Sequence, residues 1–248
     1  MTGRVTATRG NLPVELTSFI GRRRQVQDVK SALTAARLVT LVGPGGVGKT
    51  RLALRSATDL RRGIPDGVWL VELGSLQDAE LVTKAVITSL GLRDELSRWP
   101  VSRLIEYVAS KRLLLVLDNC EHLLDACAVL ADALLREAPW LRILATSRQP
   151  LGVAGETVVQ VGPLSVPDVD GRVAPDRIAE TEAVALLLER AREAGAAFEV
   201  TWTTRPPWSS WPAVWTASPW RSSSRLCDFA PSAWTSWSNV STTASVCS

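Results

Sequence analysis

Along the first 200 residues, short apolar runs alternate with stretches in which apolar side chains recur every three or four positions. Leu38–Val42 is apolar on both alternate sets, the pattern of a strand buried on both faces. A glycine-rich turn follows, then a helical pattern over Lys49–Arg61. Val68–Leu73 predicts a second strand. In Asp78–Leu90, the spacing of Leu81, Val82, Ala85, Val86 and Leu90 predicts a helix that stops at Gly91. A further helix fits Val101–Ser110, and Leu113–Asp118 is a third strand. Leu123–Arg136 places Leu123, Cys127, Leu130 and Leu134 on one helical face. Leu141–Thr146 predicts a fourth strand, Thr157–Val161 suits a fifth, and Ala179–Ala194 closes as a helix. The charged run Arg22-Arg23-Arg24 reads as the solvated start of a helix. Buried strands separated by helices predict an α/β fold, a parallel sheet with helices on both faces.

Composition changes this picture in one place. The chain of 248 residues is 46% hydrophobic and 21% charged, ordinary for a globular protein and wrong for a disordered one. Residues 201–248, however, hold seven of the ten tryptophans but only four charged residues and a single leucine, Leu226. A segment of that make-up predicts a tail without a packed core, following a P-loop unit over residues 19–200 and an extension over residues 1–18. A net charge of +3 announces no nucleic-acid surface. No apolar run approaches the roughly 18 residues of a membrane span, and the polar start argues against a secretory signal. Four cysteines without paired metal-ligand spacing predict a reducing, cytoplasmic setting.

The chemistry gathers at three strand ends. Gly43-Pro44-Gly45-Gly46-Val47-Gly48-Lys49-Thr50 fits G-x-x-x-x-G-K-[ST] in full, with a strand before it and a helix after it. Glycines let backbone N–H groups curl around a phosphate, and the helix N-terminus adds its positive end. Lys49 is the residue for the β- and γ-phosphates, Thr50 the one for Mg²⁺, and Arg51 follows at the same helix start. This motif makes the sheet that of a P-loop NTPase, a three-layer fold. The third strand ends in Asp118, which emerges at the sheet edge where the phosphate loop lies and is placed to hold Mg²⁺. Asn119 stands where many hydrolytic proteins carry a second acid. Two readings stand for Glu121: a substitute for that acid, or an exposed residue in the first turn of the next helix. The fourth strand delivers Thr146, Ser147 and Arg148 to the same edge, and Arg148 can sense a γ-phosphate through charge-assisted hydrogen bonds. His122 is the only histidine, so no zinc cluster or Ser-His-Asp triad forms.

Taken together, Phe19-Ile20-Gly21-Arg22, Leu41–Thr50, Leu113–His122 and Leu144–Arg148 resemble the NB-ARC-like STAND ATPases of bacterial transcriptional regulators. The likeness is greatest to the group attached to LuxR-type or SARP-type DNA-binding domains, and it runs from about Asn11 to Ala194. The resemblance implies that Ile20, Gly21 and Arg22 help to form an adenine pocket. It also implies that the strand of Arg148 lies between the phosphate-loop strand and that of Asp118. It implies a switch that is closed with ADP and open and self-associating with ATP. The family continues with a small helical domain carrying a Gly-x-Pro segment and then a winged helix, and neither is visible in this frame. No basic helix-turn-helix pattern predicts a DNA-binding domain within these residues.

The reading is therefore an ATP/ADP-binding switch module with Mg²⁺. A catalytic P-loop enzyme, either an ATPase or a small-molecule kinase, is the rival, and a remnant that binds nothing is a third reading. The tail adds one expectation. Sliding the reading frame back one nucleotide turns each residue-Trp step into a Leu, Val or Met codon. Trp208, Trp211 and Trp215 then fall at helical spacing. With GC-rich codon choices, the shifted frame can read as an amphipathic, leucine-rich string with a Gly-x-Pro segment.

Overall fold

In a computed structural model, residues 10–92, 101–166, 175–193 and 195 are described. The tail 201–248, with the expectation about its reading frame, lies outside them, as do residues 1–9 and Ala194. Five strands form one parallel sheet: β1 (Leu38–Val42), β2 (Val68–Glu72), β3 (Leu114–Asp118), β4 (Arg142–Ser147) and β5 (Glu156–Gln160). Their spatial order is β2-β3-β4-β1-β5, so the strand leading to Arg148 does lie between the phosphate-loop strand and that of Asp118.

Alternate residues of β1 to β4 feed two separate apolar layers, which is why those runs read as continuously apolar. Leu115 and Leu117 of β3, with Ile143 and Ala145 of β4, face α3 (Leu81–Ser89), α4 (Val101–Ala109) and α5 (Leu124–Glu137). Their partners there include Val86, Leu104, Leu130 and Leu134. On the opposite face Leu114, Val116, Leu144, Val39 and Leu41 meet α1 (Arg23–Ala35) and α2 (Lys49–Leu60) through Val29, Leu33, Leu52 and Ala53. The molecule is thus a three-layer α/β P-loop NTPase fold. No helix among the described residues is long and apolar enough to cross a membrane.

Most element boundaries agree with the sequence pattern to within a residue or two, and two do not. The helix expected from Asp78 begins at Leu81, because Asp78 closes a turn, its Oδ1 accepting from the Glu80 N–H at 2.9 Å. The closing helix expected from Ala179 is α7 (Glu182–Glu193), starting three residues later, and a separate short helix, α6 (Pro175–Ala179), precedes it. The break falls at Thr181, whose hydroxyl donates to the Ile178 carbonyl at 2.7 Å. The chain then restarts with the Glu182 N–H donating to Ser165 Oγ at 3.2 Å, a cap supplied from 17 residues away.

One sheet edge is closed by a side chain. Asn11 accepts from the Leu70 N–H at 2.6 Å and donates to the Leu70 carbonyl at 2.8 Å, so its amide pairs with β2 as a strand backbone would.

Candidate functional site

The β1 strand ends at Val42, and the glycine motif carries the chain across the sheet edge into α2. Gly46 and Gly48 have φ of 76° and 95°, left-handed values that side chains with a Cβ rarely adopt. Gly43 is constrained by space instead: a Cβ there would lie 2.4 Å from the Val161 carbonyl oxygen. Lys49 folds back over the loop, its ammonium donating to the carbonyls of Gly43 (2.9 Å) and Pro44 (3.1 Å). Burial holds the Lys49 pKa below its ordinary value. The Glu121 carboxylate opposes that shift, Arg148 adds to it, and Asp118 opposes it more weakly.

Asp118 leaves the end of β3 between two hydroxyls. Thr50 Oγ1 donates to Asp118 Oδ1 at 2.7 Å, and Thr146 Oγ1 donates to the same oxygen at 2.6 Å. Thr146 in turn accepts from the Asn119 N–H at 2.9 Å. The expected pair, Thr50 and Asp118, is therefore in direct contact. Thr146, seen in the sequence only as a hydroxyl at the strand end, completes the group. Hard oxygen donors of this kind suit Mg²⁺, which keeps waters and phosphate oxygens in most of its positions. No cluster of three or more His, Cys, Asp or Glu able to cage a metal exists among the described residues.

Asn119 takes a left-handed conformation, φ 67°, and turns the chain into a short 3₁₀ segment over Cys120–His122. Cys120 is buried, and its thiol is pushed up by its hydrogen bond with Cys127 and by burial, so it is an inert core group. Glu121 is mostly buried rather than exposed: its side chain is 17% accessible. Its Oε1 accepts from Arg148 Nε at 3.2 Å, and Oε2 is a buried oxygen with no partner. The Arg148 guanidinium lies against the loop, a terminal nitrogen 3.4 Å from where a Gly45 Cβ would stand.

The segment before α1 forms the other wall. Gly21 has φ 73° and packs against Glu182, which a Cβ would crowd at 3.0 Å. Ile20 beside it is half-buried. Arg22 is buried, and its guanidinium donates to Val47 O at 2.7 Å, Gly162 O at 3.0 Å and Gln25 Oε1 at 2.6 Å. Burial lowers its pKa, and Glu182 partly offsets this. Arg22 thus clamps the phosphate loop to the chain leaving β5. Arg51 turns away from the loop, donating to Ser18 O at 2.9 Å and Thr17 Oγ1 at 3.2 Å. Sequence reasoning did not single out Glu182, whose Oε1 accepts from the Arg22 N–H. Its partners lie 160 and 17 residues away, and nothing local signals them.

Residues 22–161 match the NB-ARC domain family. An uncharacterised protein of Mycobacterium tuberculosis is 38% identical over 185 residues, which make up 75% of this chain and 44% of that protein. A protein of the same organism, provisionally named an HTH-type transcriptional regulator, is 42% identical over 156 residues, 62% of this chain and 17% of its own length. The chain therefore spans less than half the length of either relative. Among solved structures, a signal transduction ATPase with numerous domains (STAND) from Pyrococcus horikoshii, which carries a tetratricopeptide repeat sensor, aligns at 17% identity and a TM-score of 0.48. That alignment covers 75% of this chain and 26% of that one. With more than half of its length matched in one continuous block that holds the phosphate loop, Asp118 and Arg148, this chain belongs to the NB-ARC family.

Proposed function

We propose that this chain is an ATP/ADP-binding switch module of a bacterial signalling or transcriptional regulator, binding nucleotide with Mg²⁺ and hydrolysing ATP slowly at most. The observation that carries the reading is the Thr50–Asp118–Thr146 oxygen cluster beside a glycine-walled loop whose carbonyls, Gly43 O and Pro44 O, accept from Lys49. The loop from Gly43 to Thr50 would cradle the phosphates. Lys49 would exchange its two carbonyls for phosphate oxygens, while Thr50 and Asp118 would hold the metal. Arg148 would read the γ-phosphate. Ile20, Gly21 and Arg22 would border the base, and Arg51 would support the wall on that side.

The regulatory part of the reading rests on the name of one relative and on the family. In a longer protein, an ATP state that exposes a surface for self-association would carry the signal. Within this chain we take residues 19–200 as the P-loop unit, 1–18 as an extension and 201–248 as an aberrant tail, and the setting as cytoplasmic. A catalytic P-loop enzyme is the second reading, and the buried Glu121 carboxylate near Lys49 is the observation that favours it.

Titration calorimetry with ADP and with ATP tests the proposal. Both are expected to bind, ATP more tightly with Mg²⁺ than without. Lys49→Ala is expected to weaken both by about tenfold to a hundredfold, since hydrogen bonds to charged groups are worth about 1.5–3 kcal/mol. Undiminished ADP binding in that variant would remove the loop from the site. Steady turnover above roughly 1 s⁻¹, the lower edge of ordinary enzyme rates, would favour the enzyme.

A further inference from the structure

Glu121 sits on an unusually well-anchored turn. Asn119 ahead of it is fixed in the left-handed region, with its N–H bonded to Thr146 Oγ1. Cys120 is fully buried, its thiol facing the Leu117 carbonyl at 3.5 Å. On the other side, His122 Nε2 lies 3.1 Å from Leu73 O and 2.9 Å from Leu76 O. Both are acceptors, so this nitrogen carries the hydrogen and donates. With both neighbours held, the backbone at Glu121 is fixed, and the side chain itself is held by Arg148.

That direction is toward the phosphate loop. Among charged neighbours, Glu121 influences Lys49 more strongly than Asp118 does, and its Oε1 is bonded to Arg148 Nε. The carboxylate is therefore bonded to one cation, Arg148, which rests over Gly45, and acts electrostatically on a second, Lys49, which is folded onto the loop. An anion between a P-loop lysine and an arginine at the end of the neighbouring strand is where the terminal phosphate of a nucleotide would stand. A carboxylate and a phosphate oxygen carry the same sign and accept from the same donors. A buried carboxylate oxygen without a partner is costly to keep and calls for a functional account.

We propose that the Glu121 carboxylate is an internal stand-in for the γ-phosphate, holding Arg148 while that phosphate is absent and so setting the preference between ATP and ADP. The inference rests on the nucleotide-binding reading above. When ATP is bound, Arg148 exchanges Glu121 for the γ-phosphate, so part of the gain from that contact offsets the broken ion pair. When ADP is bound, nothing competes for Arg148, and the pair stays closed. The ion pair thereby lowers the affinity for ATP and leaves that for ADP unchanged.

A double-mutant cycle on the full chain decides this, using calorimetric titration of Mg-ATP and Mg-ADP into the wild type, Glu121→Gln, Arg148→Ala and the double variant. Glu121→Gln is expected to tighten ATP relative to ADP by about fivefold or more, the lower edge of ordinary coupling between sites. In the Arg148→Ala background, the same substitution is expected to give a smaller ATP-selective gain, what is left being relief of the direct repulsion between Glu121 and the γ-phosphate, and the difference between the two backgrounds is the share carried by the ion pair. Glu121→Asp keeps the charge and withdraws it from Arg148, and is expected to move the ATP/ADP ratio in the same direction. Circular dichroism and ADP affinity report whether each variant is folded. Three results would overturn the proposal: weaker ATP binding in Glu121→Gln, an equal shift for both nucleotides with Arg148 present, or an ATP-selective gain as large without Arg148 as with it. A wild type that binds neither nucleotide would instead overturn the nucleotide-binding reading, and this one with it.

Discussion

Lys49 shows what burying a cation costs a fold. Burial lowers its pKa, so the folded chain binds that proton less tightly than the unfolded chain does. Below the folded pKa both states are charged and the full burial penalty is present. As pH rises from there toward the ordinary lysine value, the folded state deprotonates first and the penalty is relieved. Lys49→Met keeps the apolar stem and removes the charge. At neutral pH its unfolding midpoint is expected to match the wild type to within about 2–4 °C, or to exceed it, and any excess should shrink as pH rises toward the lysine range. A thermal scan over pH checks this, and a large fall in midpoint at neutral pH would show that the two carbonyl contacts outweigh the burial. The place of Lys49 at the loop is legible in the motif, because the motif is a statement about local backbone. That of Glu121 is only half legible. Its side chain reaches the loop because Asn119 turns left-handed and His122 is pinned to two distant carbonyls, and neither fact is local.

At the scale of elements, the strands were easy to read because all but β5, at the sheet edge, are buried on both faces. Helix α1 shows only its charged start in the pattern. Its buried positions are three, Val26, Val29 and Leu33, set among polar residues. Harder still was the division of labour among the motif glycines. Gly43 meets the Val161 carbonyl, and the Val161 N–H donates to Val42 O at 2.7 Å, so the ends of β1 and β5 are laced together with no room between. The nearest atoms to a Gly45 Cβ are instead the guanidinium of Arg148, the far end of a long side chain. Gly43→Ala is therefore expected to cost about 1–3 kcal/mol of stability without nucleotide, as overpacking does. Gly45→Ala is expected to stay within about 0.5 kcal/mol, as surface changes do. Urea unfolding of the two variants measures the difference, and equal losses would mean that the loop, rather than its contact with β5, sets the requirement.

The described residues divide into a sheet with two apolar layers and the helix α7, fastened largely by polar contacts. Of α7, Ala183 and Val184 are buried and the positions after them half-buried, and hydrogen bonds fasten both of its ends. Ser18 Oγ donates to Glu189 and Glu193 at 3.1 and 3.2 Å, and Arg190 donates to Ser18 O at 3.3 Å. Glu182 is the main fastening. One carboxylate oxygen accepts from the Arg22 N–H, the other from the Ser165 N–H at 3.2 Å, and the aliphatic part packs on Gly21. The same Arg22 reaches Val47 in the phosphate loop, so the last helix and the loop share one anchoring residue. Nothing in the sequence pattern announces this, since the partners are separated by most of the chain and no periodicity links them. A helix attached with little apolar burial opens at low free-energy cost, independently of the sheet. Glu182→Ala removes acceptors worth about 1–3 kcal/mol, so amide exchange across Glu182–Glu193 is expected to quicken by about tenfold to a hundredfold. Exchange in β1, β3 and β4 is expected to stay unchanged. Hydrogen-exchange mass spectrometry resolves the two regions in one experiment. Faster exchange throughout would make Glu182 part of the global fold, and no change in α7 would mean that Ser18 and its partners hold the helix without it.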